Sequence, residues 1–234
     1  MNNLPSKNII ISNSVTRAGQ GLSLSEKRIL FSGLAQLNGK NDFIELHAEE
    51  FSKIFKITPS VAYRQLKEAT KNIFNRYLTW QIESKQSIGL RTTRWIITYD
   101  YFDTEGYVRF KFNELLFPYL FELQSHFTKY KLQQACALRS IYSWRLLELF
   151  EQQKQINKDG YRWLKISVDD FNHAMEISEG YKKTFGLLRK KIIEPAIKEL
   201  SEKDNWIIEW KPIKNGRKVA MLEFTFSHYP ENFL

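Results

Sequence analysis

The sequence has few of the features that mark secreted, membrane-spanning or redox-active proteins. Its 234 residues include one cysteine, Cys136, so an internal disulfide is excluded and a reducing compartment is favoured. No apolar run approaches the roughly 20 residues of a membrane-spanning helix, and Ile9–Ile11 is too short for the apolar part of a secretion signal. We therefore expect a cytoplasmic protein without a membrane segment.

Signatures of catalysis are equally scarce. There is no glycine-rich phosphate loop of the Walker type, which argues against ATP hydrolysis. A rolling-circle enzyme, which nicks DNA with a tyrosine, needs a metal held by closely spaced histidines. The four histidines are far apart in the sequence: His47, His126, His173 and His228. We expect no catalytic residue, no metal and no cofactor, and the nicking enzyme is kept as the least favoured alternative.

Basic charge is present in excess and is spread along the chain. Lysine and arginine number 35 against 26 acidic residues, a net charge of +9. The first 122 residues hold 16 basic and 12 acidic residues and the remainder 19 and 14, so the excess is not a tail. Apolar residues make up 43%, which is enough for a buried core. An acidic polymer such as nucleic acid is the natural partner for this charge.

The chain contains an internal repeat. Residues 43–57 and 163–177 align without a gap, and their apolar and acidic positions agree in type. The paired positions include Phe43 with Trp163, Leu46 with Ile166, Glu49-Glu50 with Asp169-Asp170, Phe51 with Phe171 and Ile57 with Ile177. Because both acidic pairs fall at a predicted helix start, they favour helix capping over metal binding.

Each copy predicts the same order of elements. In the first, a helix opens with the capping box Ser23–Glu26, followed by a strand at 43–46, a short helix at 48–55 and a long helix from Pro59 to about Asn75. In the second, the matching elements lie at 138–149, 163–166, 168–175 and about 181–200, where Pro195 should kink the last helix or mark a break.

Strand-like segments follow each long helix. The second copy has 206–210 and 219–226, joined through the hairpin signal Asn215-Gly216. The first copy has 78–83, 92–99 and 107–112, and we expect Lys85 and Arg91, which flank Ser87–Gly89, to form the equivalent hairpin tip. The order is that of a winged helix-turn-helix. We therefore predict an α+β fold of two tandem winged-helix domains, 1–123 and 124–234.

In a winged helix the third helix enters a DNA groove and the hairpin, or wing, reaches the phosphates. Apolar residues at helical spacing form one face of the first long helix, and cations form another. We predict that the following residues contact DNA from the first domain: Ser60, Tyr63, Arg64, Lys67, Lys71, Lys85 and Arg91. We predict that the following contact it from the second: Lys182, Lys183, Arg189, Lys190, Lys191, Lys214, Arg217 and Lys218. Arg189 and Lys190 are the leading candidates for contact with bases. The alternative for the first helix is an ordinary solvated face.

Two segments resemble a known family. LRSIYSWRLLEL at 138–149 and FGLLRKKIIEPAIKEL at 185–200 look like the plasmid initiator replication (Rep) family, and the opening from Ser12 to Arg28 is also similar to it. The resemblance covers roughly residues 10–230. It implies two winged-helix domains that bind repeated double-stranded sites, called iterons, at a plasmid origin, with the second domain making the main iteron contacts.

The resemblance also implies partners. Family members bind iterons as monomers, and as dimers associated through the first domain they act on their own operator or restrain replication, which controls plasmid copy number. They also contact host initiator and replicative helicase proteins. Two alternatives remain open from the residues: a winged-helix transcriptional regulator without an initiator role, and a protein-interaction module. The crowding of cations between Lys182 and Lys191 argues against the second.

Overall fold

The computed structural model describes residues 3–37, 42–120, 123, 125–154, 156 and 160–228. The chain divides into two compact units, Met1–Ala137 and Leu138–Leu234. The elements of the first unit are β1 (Asn8–Ser12), α1 (Asn13–Arg17), α2 (Leu24–Leu34), β2 (Ile44–His47), α3 (Ala48–Phe55), α4 (Pro59–Phe74), β3 (Tyr77–Glu83), β4 (Ile88–Arg94), β5 (Ile96–Phe102), β6 (Tyr107–Phe112), α5 (Phe117–Leu120), β7 (Phe127–Lys131) and α6 (Leu132–Cys136). Those of the second are α7 (Ile141–Glu151), β8 (Arg162–Ser167), α8 (Val168–Ala174), α9 (Glu179–Lys182), α10 (Phe185–Leu188), a π-helical turn (Arg189–Ile193), α11 (Glu194–Asp204), β9 (Trp206–Asn215) and β10 (Lys218–His228).

Helix α2 begins at the predicted capping box and lies against the sheet of the first unit. The Ser23 hydroxyl accepts from the Glu26 amide at 3.4 Å, and the Glu26 carboxylate accepts from the Ser23 amide at 2.8 Å. Gly33 lets the helix come close to the sheet, because a Cβ at this position would lie 2.7 Å from Phe110 Cζ and 3.2 Å from Phe112 Cε2. Two aromatic rings of β6 therefore occupy the space that a larger residue would need.

The sheet of the first unit has the strand order β2-β6-β5, with both neighbouring pairs antiparallel. Along β6 the buried residues alternate with half-buried ones, as expected for a strand that covers a core on one face. Helix α4 starts with the predicted cap, in which the Thr58 hydroxyl accepts from the Val61 amide and Pro59 takes the first helical position. The predicted apolar stripe of α4 is buried at Ala62, Leu66, Ala69 and Ile73.

The first unit has two strands where the sequence predicts one. The segment 92–99 is divided at Trp95, so that β4 ends at Arg94 and pairs with β3, whereas β5 begins at Ile96 and pairs with β6. Trp95 is fully buried and its indole N–H donates to the Gln20 carbonyl at 3.3 Å. β-branched and aromatic residues, which favour strands, continue through the break between β4 and β5, so the composition predicts a single strand here.

The first unit extends beyond its predicted end. Strand β7 pairs with β1 over five residue pairs, and the buried Thr16 hydroxyl donates to Thr128 at 2.9 Å. The units therefore divide after Ala137 rather than after residue 123, because Phe127–Lys131 is held to the first unit by strand hydrogen bonds. Gln124, the first residue of the predicted second domain, lies outside the described residues.

The second unit repeats the arrangement of the first. Its sheet has the order β8-β10-β9, and α7, α8 and the segment α10–α11 follow the order of α2, α3 and α4. The buried Arg145 of α7 donates from Nε to the Ala174 carbonyl at 2.8 Å and from Nη1 to Glu148 at 3.1 Å. This ties the end of α8, where the helix-turn-helix turn begins, to the core helix. The predicted fold of two tandem winged-helix domains is confirmed.

Candidate nucleic-acid interface

The third helix of the second domain differs from its prediction. A single helix was expected from Tyr181, but Thr184 is extended, with φ −142° and ψ 146°, and its hydroxyl caps the Leu187 amide at 3.2 Å. The helix therefore starts at Phe185. It widens into the π-helical turn and continues as α11, with Pro195, which has no N–H to donate, at the second position after the turn. The predicted kink or break at Pro195 corresponds to this wide turn.

Two predicted contact residues are consequently off this helix. Lys182 ends the short helix α9, and Lys183 follows it before the break at Thr184. Both are exposed, and the Lys182 amine lies 2.7 Å from the Glu179 carboxylate. The Thr184 side chain caps the helix that begins at Phe185, so the chain does not continue as one helix from Tyr181. Serine and threonine side chains often compete with helical hydrogen bonds in this way.

The π-helical turn separates the basic and apolar sides of the helix. Ile192 and Ile193 are both buried, whereas Arg189, Lys190 and Lys191 are exposed. One extra residue in the turn brings two successive isoleucines into the core. The structure thus brings together three of the predicted contact residues on one short exposed segment, which carries three positive charges.

The Arg189 side chain is oriented by a neighbour on the same helix. Its Nε donates to Glu194 Oε1 at 2.6 Å, and the side chains are 56% and 41% exposed. The sequence interpretation missed Glu194, because residues five apart do not face each other on a regular α-helix. An ion pair this exposed contributes little to stability, so its geometry matters more than its energy.

The wing of the second domain is the β9–β10 hairpin. Its tip turns at Gly216, whose φ of +61° suits glycine, and the predicted contact residues Lys214, Arg217 and Lys218 are all exposed there. Midway along β9, the Trp210 ring lies 6.4 Å from the Phe185 ring, which opens α10. The hairpin is therefore in contact with the start of the helix that carries the basic segment.

The first domain also has a wing, but not at the predicted place. Since β6 is the central strand as β10 is in the second domain, the equivalent hairpin is β5–β6, whose tip runs from Asp103 to Gly106 and carries two acidic residues. Lys85 and Arg91 are exposed on the additional hairpin β3–β4 instead. A sequence signal existed: VRFKF at 108–112 has the same alternation as LEFTF at 222–226.

The acidic wing tip binds the predicted DNA-contacting face of α4. Asp103 Oδ1 accepts from Tyr63 Oη at 2.7 Å and from Lys67 Nζ at 2.9 Å, and Lys67 also lies 5.0 Å from the centre of the Tyr101 ring. The hydrogen bonds from Tyr63 and Lys67 lower the pKa of Asp103, and the hydrogen bond to Asp103 raises the pKa of Lys67. The pair is therefore charged throughout the neutral range.

The other predicted residues of α4 are exposed: Ser60, Arg64 and Lys71. Ser60 lies at the start of the helix, with its hydroxyl 3.2 Å from that of Thr58. His47 is the residue before α3, and its ring stacks on that of Tyr107 at 4.9 Å, so it has a structural position. Within the described residues, no group of three or more histidine, cysteine, aspartate or glutamate side chains could hold a metal. None of the helices described is long and apolar enough to cross a membrane.

Two helix-turn-helix units, each followed by a hairpin wing, define a tandem winged-helix protein. The chain belongs to the initiator replication protein family: residues 8–151 match its WH1 domain and residues 167–226 its WH2 domain. The family resemblance inferred from the two sequence segments is confirmed.

Individual relatives agree with this assignment. The PI protein of Escherichia coli is 27% identical over 242 residues, which cover 88% of this chain and 77% of that protein. A 27.6 kDa protein of Escherichia coli, described as uncharacterized, is 23% identical over 226 residues, covering 88% of this chain and 90% of that protein. The crystal structure of Pi initiator protein in complex with iteron DNA has the same fold, with a TM-score of 0.82, 24% identity, and coverage of 97% and 99% of the two chains.

Proposed function

We propose that this protein initiates plasmid replication by binding iteron repeats in double-stranded DNA, mainly through its second domain. The carrying observation is that the exposed Arg189–Lys191 segment and the basic wing tip belong to one domain, in which Phe185 at the helix start contacts Trp210 of the wing. A groove-binding helix beside a cationic hairpin is the arrangement that winged helices use on DNA. The related Pi initiator, solved with iteron DNA, supports the same use here.

The two parts of this surface would have different tasks. Arg189 and Lys190 lie within two turns of the helix start at Phe185, where side chains reach base edges in the major groove. Lys214, Arg217 and Lys218 lie at the tip of the hairpin and suit phosphate oxygens, which supply affinity without sequence information. Lys182 and Lys183, just before the helix, would also meet phosphates.

The first domain would contribute less to DNA affinity. Asp103 already binds Tyr63 and Lys67, and the wing tip adds Glu105, so the charge that the first domain offers to DNA is reduced. Ser60, Arg64 and Lys71 on α4, with Lys85 and Arg91 on the additional hairpin, would provide backbone contacts that position the chain. Family membership further supports self-association, autorepression and recruitment of host initiator and helicase proteins as roles of the surfaces that do not meet DNA.

Fluorescence anisotropy with short duplexes tests this proposal. Purified protein is titrated onto labelled duplexes from the origin of its own plasmid and onto scrambled duplexes of equal composition, at several salt concentrations. Binding to the repeat that is about a thousandfold tighter than to the scrambled duplex is expected for a specific reader. Equal and steeply salt-dependent binding to both duplexes would instead identify a general basic DNA binder.

A further inference from the structure

Arg189 and Glu194 are joined twice in the second domain. The Glu194 amide donates to the Arg189 carbonyl, which is the hydrogen bond that closes the π-helical turn. The Arg189 Nε donates back to the Glu194 carboxylate at 2.6 Å. The backbone bond and the side-chain bond therefore connect the same two residues.

The wide turn is the reason that these side chains meet. On a regular α-helix, residues five apart are separated by on the order of 140° around the axis, so their side chains diverge. In a π-helical turn the hydrogen bond runs between residues five apart, which brings the two onto nearly the same line. The bond between Arg189 and Glu194 is thus a product of the local helix geometry and not of sequence spacing alone.

The hydrogen bond to Glu194 orients the Arg189 guanidinium and leaves the N–H groups of its two terminal nitrogens outside that bond. An arginine has five N–H donors, and Glu194 accepts from the one on Nε, whereas the other four belong to the two terminal nitrogens. A bidentate contact with guanine O6 and N7 needs two donors. A side chain that is already oriented loses less conformational entropy when it binds.

We propose that Glu194 is a positioning residue that holds Arg189 for the recognition of one base pair, and that the π-helical turn exists in this protein to bring the two together. The inference rests on the proposed function, because it assigns the specificity of the same DNA-binding surface. A carboxylate this near DNA also repels phosphate, so its presence on the basic helix lowers affinity for every sequence while raising discrimination among sequences.

The test compares Glu194→Gln and Glu194→Ala with Glu202→Gln in the full chain. Glu202 lies on the same helix, pairs with Lys198 at 3.7 Å, and its replacement changes the net charge as Glu194→Gln does. Each variant is titrated onto the repeat duplex, onto scrambled duplex, and onto repeat duplexes with one base pair replaced at a time. Circular dichroism and thermal unfolding verify that each variant is folded.

Glu194→Ala should lower the ratio of repeat to scrambled affinity by roughly tenfold, within the range that one bidentate contact supplies. It should relax preference at the same base pair as Arg189→Ala, and the double variant should lose no more than Arg189→Ala alone. Glu194→Gln should lose less, because its amide oxygen still accepts from Nε, and Glu202→Gln should keep the full ratio.

One result would overturn the inference while leaving the proposed function intact: a wild-type protein that discriminates between duplexes and a Glu194→Ala variant that discriminates equally well. If that variant also bound both duplexes more tightly by the same factor, Glu194 would be a competitor of DNA for Arg189. A wild-type protein that does not discriminate at all would refute the proposed function, and the inference with it.

Discussion

Asp103, at the wing tip of the first domain, forms an ion pair with Lys67 on the third helix, with 2.9 Å between Oδ1 and Nζ. In the second domain the corresponding wing tip is cationic, and lysine and arginine occupy it. The same fold therefore presents a cationic wing tip in one copy and, in the other, an acidic wing tip that binds its own helix. This difference leads to the first expected outcome.

Asp103→Asn should strengthen binding to repeat and scrambled duplexes alike, by a few-fold, because Lys67 is released from its carboxylate and one acidic charge is lost near DNA. The slope of log affinity against log salt should steepen by up to about one unit, as expected for one added phosphate contact. Glu105→Gln, on the same turn, removes an equal charge and is the matched control. Equal effects of the two variants would show that the contact with Lys67 has no part in it.

Single replacements in the second domain should separate the helix from the wing. Arg189→Ala should relax sequence preference by roughly tenfold with little change in salt slope, because it would remove the proposed contact with a base. Lys214→Ala and Lys218→Ala should weaken repeat and scrambled binding by equal factors and reduce the slope by about one unit each. Anisotropy titrations over a series of salt concentrations measure both quantities, and loss of preference in the wing variants would contradict this division.

Gly33→Ala should destabilise the first domain by about 1–3 kcal/mol, because the new Cβ would lie 2.7 Å from the buried Phe110 ring, which has to move. Gly180→Ala is the control, since a Cβ there meets nothing within 4 Å and the helix gains from alanine. Urea unfolding followed by circular dichroism gives both values. A Gly33→Ala variant as stable as Gly180→Ala would show that α2 packs less closely on the sheet than the structure indicates.

His228 should make stability fall as the pH rises above its ordinary pKa of about 6.5. Burial opposes the charged ring, but the bond with Asp204 at 3.4 Å and the charge of Glu151 outweigh it, so the net pKa is raised. A raised pKa stabilises the folded state below the unfolded value, and this contribution is lost as the pH passes through the folded value. Urea midpoints at pH 6 and pH 8 should therefore differ more in the wild type than in His228→Gln. An identical pH dependence in both would exclude this role of the histidine.

Much of the fold could be predicted because the sequence contains an internal repeat. Windows of fifteen residues, 43–57 and 163–177, share their apolar pattern, and each falls on a strand followed by a helix. Local capping chemistry then defined helix starts at Ser23 and Thr58, where a side chain satisfies a free amide within three residues. Such features depend on neighbours along the chain, which the sequence shows directly.

The remaining features depend on contacts that sequence distance conceals. The pairing of β1 with β7 joins residues more than a hundred positions apart, so no local sequence signal reveals it. This pairing makes residues 127–131 part of the first unit, which is why the division lies later in the chain than predicted. The contact of Asp103 with Tyr63 joins residues 40 positions apart. The bond between Arg189 and Glu194 needed a widened turn, which neither residue predicts alone. The sequence therefore revealed basic residues such as Lys67 and Arg189, but not the acidic residues that bind these two side chains, Asp103 and Glu194.

Both wing tips turn at a glycine with a positive φ, +66° at Gly106 and +61° at Gly216. The charged side chains beside these glycines are exposed: Asp103 and Glu105 at one tip, and Lys214, Arg217 and Lys218 at the other. The electrical sign of each wing is therefore set by residues outside the buried core. Two copies of one fold can thus carry opposite charge at the same place while the apolar residues that build their cores stay alike.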